Sequence, residues 1–184
     1  MFGIGKQVNR EGEIYEGHFA SNLPNGFGRK IYKEGNVYVG QWVNGNLDGH
    51  GKMDYSDGVT YAGGWSQGQK HGTGEQTWPD GSHYTGELFR DSMTGKGRLQ
   101  WKNGRSYEGY FIDGELQGQG TFLWPNGKKY VGTWKKSKMH GSGIFTWPDG
   151  KMYDGEYQNG EKHGQGVLTA TDGRKYEGPF VNGK

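Results

Sequence analysis

The sequence predicts an all-β protein: an elongated, single-layer, twisted antiparallel sheet of stacked β-hairpins, solenoid-like in its repetition. Three observations predict it. Tyrosine recurs every 23 residues, at 15, 38, 61, 84, 107, 130, 153 and 176. Within each period, apolar and polar residues alternate with period two, the signature of a strand with one face covered. Gly-containing turn dipeptides separate the alternating runs.

Numbering each period from its tyrosine exposes the register. Gly stands at position 3 in all eight copies, from Gly17 to Gly178. It also stands at positions 12 and 14, from Gly3 and Gly5 to Gly164 and Gly166, and at position 21, from Gly12 to Gly173. These four positions hold 32 of the 38 glycines, so the glycine is placed rather than low-complexity. An internal repeat of this length outranks other signals.

The first strand of a period alternates Tyr38, Gly40 and Trp42 with Val39, Gln41 and Val43. A polar loop follows at Asn44–Asp48, where Gly45 is free to take positive φ. The second strand alternates Gly49, Gly51, Met53 and Tyr55 with His50, Lys52 and Asp54. Ser56-Asp57-Gly58 then turns the chain into the next tyrosine. Other copies write this turn Pro79-Asp80-Gly81, Pro125-Asn126-Gly127 and Pro148-Asp149-Gly150, with Pro suited to the first central position and Gly to the left-handed one. No helix is expected: a 3.6 period is nowhere sustained, and each interior Gly costs a helix about 1 kcal/mol.

Alternation sends Tyr, Gly and the aromatic at position 5 to one face, together with both later glycines and positions 16 and 18. The candidate core and partner groove is therefore Tyr38, Trp42, Tyr61, Trp65, Trp78, Trp101, Trp124, Trp134 and Trp147. The absent side chains leave room for rings to lie over the backbone. The opposite face is expected to carry Glu, Lys, Gln, Thr and Ser.

Composition narrows the classes. The chain is 30% hydrophobic, but 15% is aromatic and in phase, which argues against disorder. A net charge of +2 is too balanced to argue for nucleic acid, where a clustered basic face is expected. With no cysteine there is no disulfide framework or thiolate site. No apolar run approaches the roughly 18 residues of a membrane span, and MFGIGKQVNREG has no leader-like apolar core. The expectation is a cytoplasmic protein.

The pattern Y-x-G-x-[WF]-x-x-[GND]-x-x-x-G-x-G at a 23-residue period resembles the MORN repeat (membrane occupation and recognition nexus). The resemblance covers residues 2–184, with full repeats starting at Tyr15, Tyr38, Tyr61, Tyr84, Tyr107, Tyr130 and Tyr153 and partial repeats at both ends. Leu88 replaces the usual aromatic, Asp91 and Ser137 replace glycine at position 8, and Lys30 and Ala170 weaken the pair at positions 16 and 18. The resemblance implies stacked hairpins; at about 4.8 Å per strand, roughly 16 strands would span on the order of 75 Å. Proteins similar to this one include cytoskeletal scaffolds, flagellar proteins and junctophilins, and the repeats precede catalytic domains in some lipid kinases and a histone methyltransferase.

Chemistry is sparse. His71, His140 and His163 share position 11, but Thr94 and Gln117 interrupt them, so they read as turn residues rather than a metal or catalytic set. Carboxylates at position 2 (Glu16, Glu108, Asp154, Glu177) describe a solvated face. The G-x-G matches join no strand to a helix and cradle no phosphate. The reading is a non-enzyme without cofactor. Lys128, Lys129, Lys135, Lys136 and Lys138 lie within eleven residues without an acid, a candidate patch for an acidic partner or anionic lipid. Asp113, Glu115 and Glu161 on neighbouring loops dilute it.

The chain opens on a second strand and stops within a hairpin loop. Bare strand edges are templates for pairing. They suggest a fragment of a longer array, homo-oligomerisation through the end repeats, or capping by partners. The functional expectation is a structural scaffold binding cytoskeletal or axonemal proteins, associated with the cytoskeleton or cilium or peripheral at a membrane. The alternative is a phosphoinositide-recognition module that recruits an associated enzyme.

Overall fold

The computed structural model describes residues 2–184. Sixteen antiparallel strands lie in one open sheet in chain order, with no helix among the described residues. The chain divides into two compact units, one ending at Ser92 and the other Met93–Lys184. The first unit holds β1 (Phe2–Val8), β2 (Ile14–Ala20), β3 (Leu23–Ile31), β4 (Val37–Val43), β5 (Asn46–Asp54), β6 (Thr60–Ser66), β7 (Gln69–Thr77) and β8 (His83–Phe89). From β9 (Ser92–Gln100) onward the second holds β10 (Ser106–Ile112), β11 (Glu115–Leu123), β12 (Lys129–Lys135), β13 (Lys138–Thr146), β14 (Met152–Gln158), β15 (Glu161–Thr169) and β16 (Lys175–Phe180).

Two turns alternate. The expected five-residue loop at Asn44–Asp48 is a two-residue turn, and Asn46, Leu47 and Asp48 belong to β5. Asn44 and Gly45 both take positive φ, 47° and 84°. That is the type I′ geometry, whose twist matches the strands it joins. The remaining residues are absorbed in a bulge. Gly40 faces Gly51 while Trp42 faces Leu47, so β5 carries the excess chain. Gly49, with φ 101°, makes the bend, which is why the first glycine of G-x-G is needed. The other turn leaves Asp57 outside the positive-φ region and puts Gly58 at φ 87°. Gly58 N–H donates to the Tyr55 carbonyl at 2.9 Å, and Asp57 Oδ1 accepts from Val59 N–H at 3.0 Å.

Each tyrosine at position 1 is the centre of its repeat. Tyr38, Tyr61, Tyr84, Tyr107, Tyr130 and Tyr153 are fully buried. The hydroxyl donates to the carbonyl three residues on, as in Tyr61 to Gly64 at 2.9 Å and Tyr130 to Thr133 at 3.0 Å. The ring occupies the trough left by the paired glycines: a Cβ on Gly74 would stand 2.5 Å from Tyr61 Cε2. The rings then interlock edge to face. Tyr38 meets Trp42 at 5.3 Å and Trp65 of the next repeat at 5.5 Å. Tyr130 meets Trp134 at 5.2 Å and Tyr157 at 5.1 Å. Hairpins also tie through their turns: Gly68 N–H donates to Leu47 O, and Gly160 N–H to Met139 O, both at 2.9 Å.

The outer face departs from the expected all-polar surface. Phe27, Val39, Tyr110, Leu123, Val131 and Ile144 stand exposed there among the polar residues.

Candidate functional site

The structure sorts the nine aromatic candidates into two layers. Tyr38, Tyr61, Trp42, Trp65 and Trp134 are at most 5% exposed and form the packed layer on the sheet. Their tryptophan Nε1 groups are satisfied internally: Trp42 donates to Gly28 O at 3.2 Å, Trp65 to Gly51 O at 3.1 Å and Trp134 to Gly120 O at 3.4 Å. These residues are core and leave no edge for a partner.

Trp78, Trp101, Trp124 and Trp147 form an upper, half-buried layer. In the second unit they join through position 16 into one row. Trp101 meets Phe122 at 5.4 Å, Phe122 meets Trp124 at 4.4 Å, Trp124 meets Phe145 at 5.3 Å, and Phe145 meets Trp147 at 4.4 Å. The corresponding positions of the first unit are mixed. Lys30 stacks on Tyr32 at 4.4 Å while paired to Glu13 at 2.8 Å, and Met53/Tyr55 and Gln76/Trp78 follow.

Position 10 lies inside the polar run that predicts a loop, and the sequence alone gives it no phase with the aromatic face. In the structure it pairs across the hairpin with the position-5 aromatic, Leu47 with Trp42 and Leu116 with Phe111, and both leucines are buried. Lysine fills this place twice. Lys70 Nζ lies 5.0 Å from the Tyr55 ring centre and 5.1 Å from that of Tyr61. It donates to Gln76 Oε1 at 2.7 Å, and burial pushes its pKa down while Asp91 and Asp57 oppose that. Lys162 Nζ lies 5.1 Å from Tyr153, 5.4 Å from Trp147 and 5.8 Å from Phe180. Burial, and then Lys151, lower its pKa.

Two cavities open on this face, and Lys162 lines the second. One of about 360 Å³ in the first unit is lined by Tyr32, Trp42, Leu47, Met53, Tyr55 and Asp91 among others. One of about 270 Å³ in the second is lined by Met139, Phe145, Trp147, Tyr157, Glu161 and Lys162, with Gly160 and Gly183.

The five candidate lysines do not form one patch. Lys135 faces Lys138 across the turn that Lys136 occupies, whereas Lys128 and Lys129 stand at the other end of β12. A strand of that length, at about 3.3 Å per residue, separates the two groups by roughly 20 Å. The three histidines also stay apart: β14 separates His140 from His163, and His71 packs against Phe89 at 5.2 Å. Among the described residues no group of three or more His, Asp or Glu could hold a metal ion.

Comparison with known proteins agrees with this repeat. The MORN repeat pattern matches residues 15–37, 38–60, 61–83, 84–104, 107–129, 130–152 and 153–173. No curated protein sequence matches. Among solved structures, the SAS-4 TCP domain of Drosophila melanogaster, in complex with a proline-rich motif of Ana2, is 13% identical with a TM-score of 0.51, covering 96% of this chain and 90% of that one. The TCP10c domain of Drosophila melanogaster Sas-4 is 13% identical with a TM-score of 0.47, covering 95% and 97%. The former likeness concerns the sheet fold alone. Seven consecutive matches spanning most of the sequence, on the tyrosine-over-glycine geometry above, establish that the chain belongs to the MORN repeat family.

Proposed function

We propose that the chain is a non-catalytic scaffold that holds protein partners against the open aromatic row of its second unit. The observation that carries this is the row Trp101–Phe122–Trp124–Phe145–Trp147: contiguous rings, largely half-buried, above a layer already packed. Large aromatic anchors dominate the energetics of protein interfaces. The SAS-4 domain that shares the sheet fold is itself in complex with a proline-rich motif, which supports a protein partner here. We place the scaffold in a cytoskeletal, ciliary or membrane-apposed assembly, with cytoskeletal or axonemal partners, on the company that this family keeps.

The test is an affinity capture at low and high salt, with liposome co-sedimentation on the same preparation. Protein partners should persist at high salt and be lost with Trp101→Ala or Trp124→Ala, while both variants keep a cooperative melt. Trp134→Ala should lose the fold itself, because emptying a packed aromatic site costs about 3–5 kcal/mol. Salt-sensitive pelleting with phosphoinositide liposomes, abolished by Lys135, Lys136 and Lys138→Ala and without a stable protein partner, would replace the scaffold by a membrane module.

A further inference from the structure

The two position-10 lysines are an internal comparison. Lys70 is partnered by its own chain: Gln76 at position 16 accepts from Nζ, and Asp91 at position 8 of the following repeat, with Asp57, supplies nearby negative charge. The same two places around Lys162 are occupied by Leu168 and Gly183. Lys162 therefore sits among rings with no ion-pair or hydrogen-bond partner among the described residues. Lys151 Nζ, 5.3 Å from the Trp147 ring centre, adds a second positive charge. Glu161 also lines the cavity but is exposed and makes no ion pair with Lys162 among the described residues.

Directly opposite Lys162 across the hairpin is Tyr157. Its side chain is 5% exposed, and its hydroxyl has no hydrogen-bond partner. Elsewhere position 5 holds Trp, whose Nε1 reaches a carbonyl where that bond is seen, or a residue with no donor at all. A buried donor without an acceptor costs free energy and calls for an explanation. That buried donor and the half-buried Lys162, adjacent in register, line the same cavity, together with Met139, Phe145, Trp147, Gly160, Glu161 and Gly183.

We propose that this cavity binds an acidic peptide segment of a partner, seating an Asp or Glu carboxylate on Lys162 Nζ and the Tyr157 hydroxyl and an adjacent bulky apolar side chain on Phe145 and Trp147. A carboxylate offers two acceptor oxygens to two donors. The aromatic wall selects the neighbouring apolar side chain. The proposal rests on the scaffold reading of this face and specifies what it grips.

The test is selection of a random heptapeptide phage library on the full chain, with Lys162→Met, Tyr157→Phe and Lys70→Met alongside. The parent pool should enrich Asp or Glu within two residues of Phe, Leu or Trp. A fluorescein-labelled synthetic peptide from that pool should bind about tenfold more weakly to Lys162→Met and to Tyr157→Phe, the loss of one charge-assisted hydrogen bond. Lys70→Met should leave it unchanged, and Asn for the acidic residue in the peptide should weaken it as Lys162→Met does. Tyr157→Phe removes a buried donor that lacks an acceptor and Lys162→Met a half-buried charge held among rings, so their melting temperatures should equal or exceed the parent's, which separates a lost site from a lost fold. A pool without acidic enrichment, or one that Lys162→Met retains equally, overturns the proposal. A neutral pool lost with Trp124→Ala would overturn this site yet leave the scaffold standing. Phosphatidylserine vesicles that pellet the parent but not Lys162→Met would overturn it in favour of a lipid headgroup.

Discussion

At the residue scale, glycines that look equivalent in the sequence do different work. Gly143 has ordinary backbone geometry, yet a Cβ there would stand 2.5 Å from Tyr130 Cε2. Gly150 has φ 87° and open space around it. Gly143→Ala should therefore cost about 2–3 kcal/mol by overpacking a ring that the sheet cannot release. Gly150→Ala should cost about 1 kcal/mol, the left-handed penalty alone. Urea unfolding of both variants measures the difference, and equal costs would contradict the ring-in-trough packing. Periodicity revealed that both glycines were placed. Only the ring position reveals which is steric and which is conformational.

At the scale of the element, the turn is where the sequence reading fell short. A polar run at 44–48 suggested a loop, although Asn44-Gly45 is itself a type I′ signal. The two-residue turn puts position 10, and with it Leu47, Lys70 and Lys162, on a strand. The turn between β12 and β13 carries a further consequence. Lys136 and Ser137 take φ 49° and 59°, and Lys135 directly faces Lys138. Like charges in a cross-strand pair are destabilising, so Lys138→Glu should stabilise the chain by about 0.5–1 kcal/mol. Thermal melts at low and high salt check this, because the gain should shrink as the charges are screened.

Across the whole molecule, stability should depend on pH through the tyrosines. Burial raises the Tyr61, Tyr107 and Tyr130 phenols from the ordinary 10 to about 12. The folded chain thus favours the neutral phenol. The stabilisation is fully present below pH 10 and is lost as pH rises through about 12. Within each unit these rings share edge-to-face contacts with neighbouring repeats, so ionisation should accompany cooperative loss of the sheet. Tyrosinate absorbance and circular dichroism followed together should move as one. Phenols titrating near 10 with the sheet intact would contradict this.

The sequence by itself determined the repeat, the all-β class and the face on which the rings lie, because a 23-residue phase and a two-residue alternation are properties of the chain. Tertiary structure decided which tryptophans are core and which are open, since that depends on what the next hairpin covers. It also split one run of lysines into two groups at opposite ends of a strand. And it decided that one half-buried lysine has a carboxylate near it while its counterpart has none, because Asp91 stands 21 residues beyond Lys70 and comes near it only when the hairpins stack.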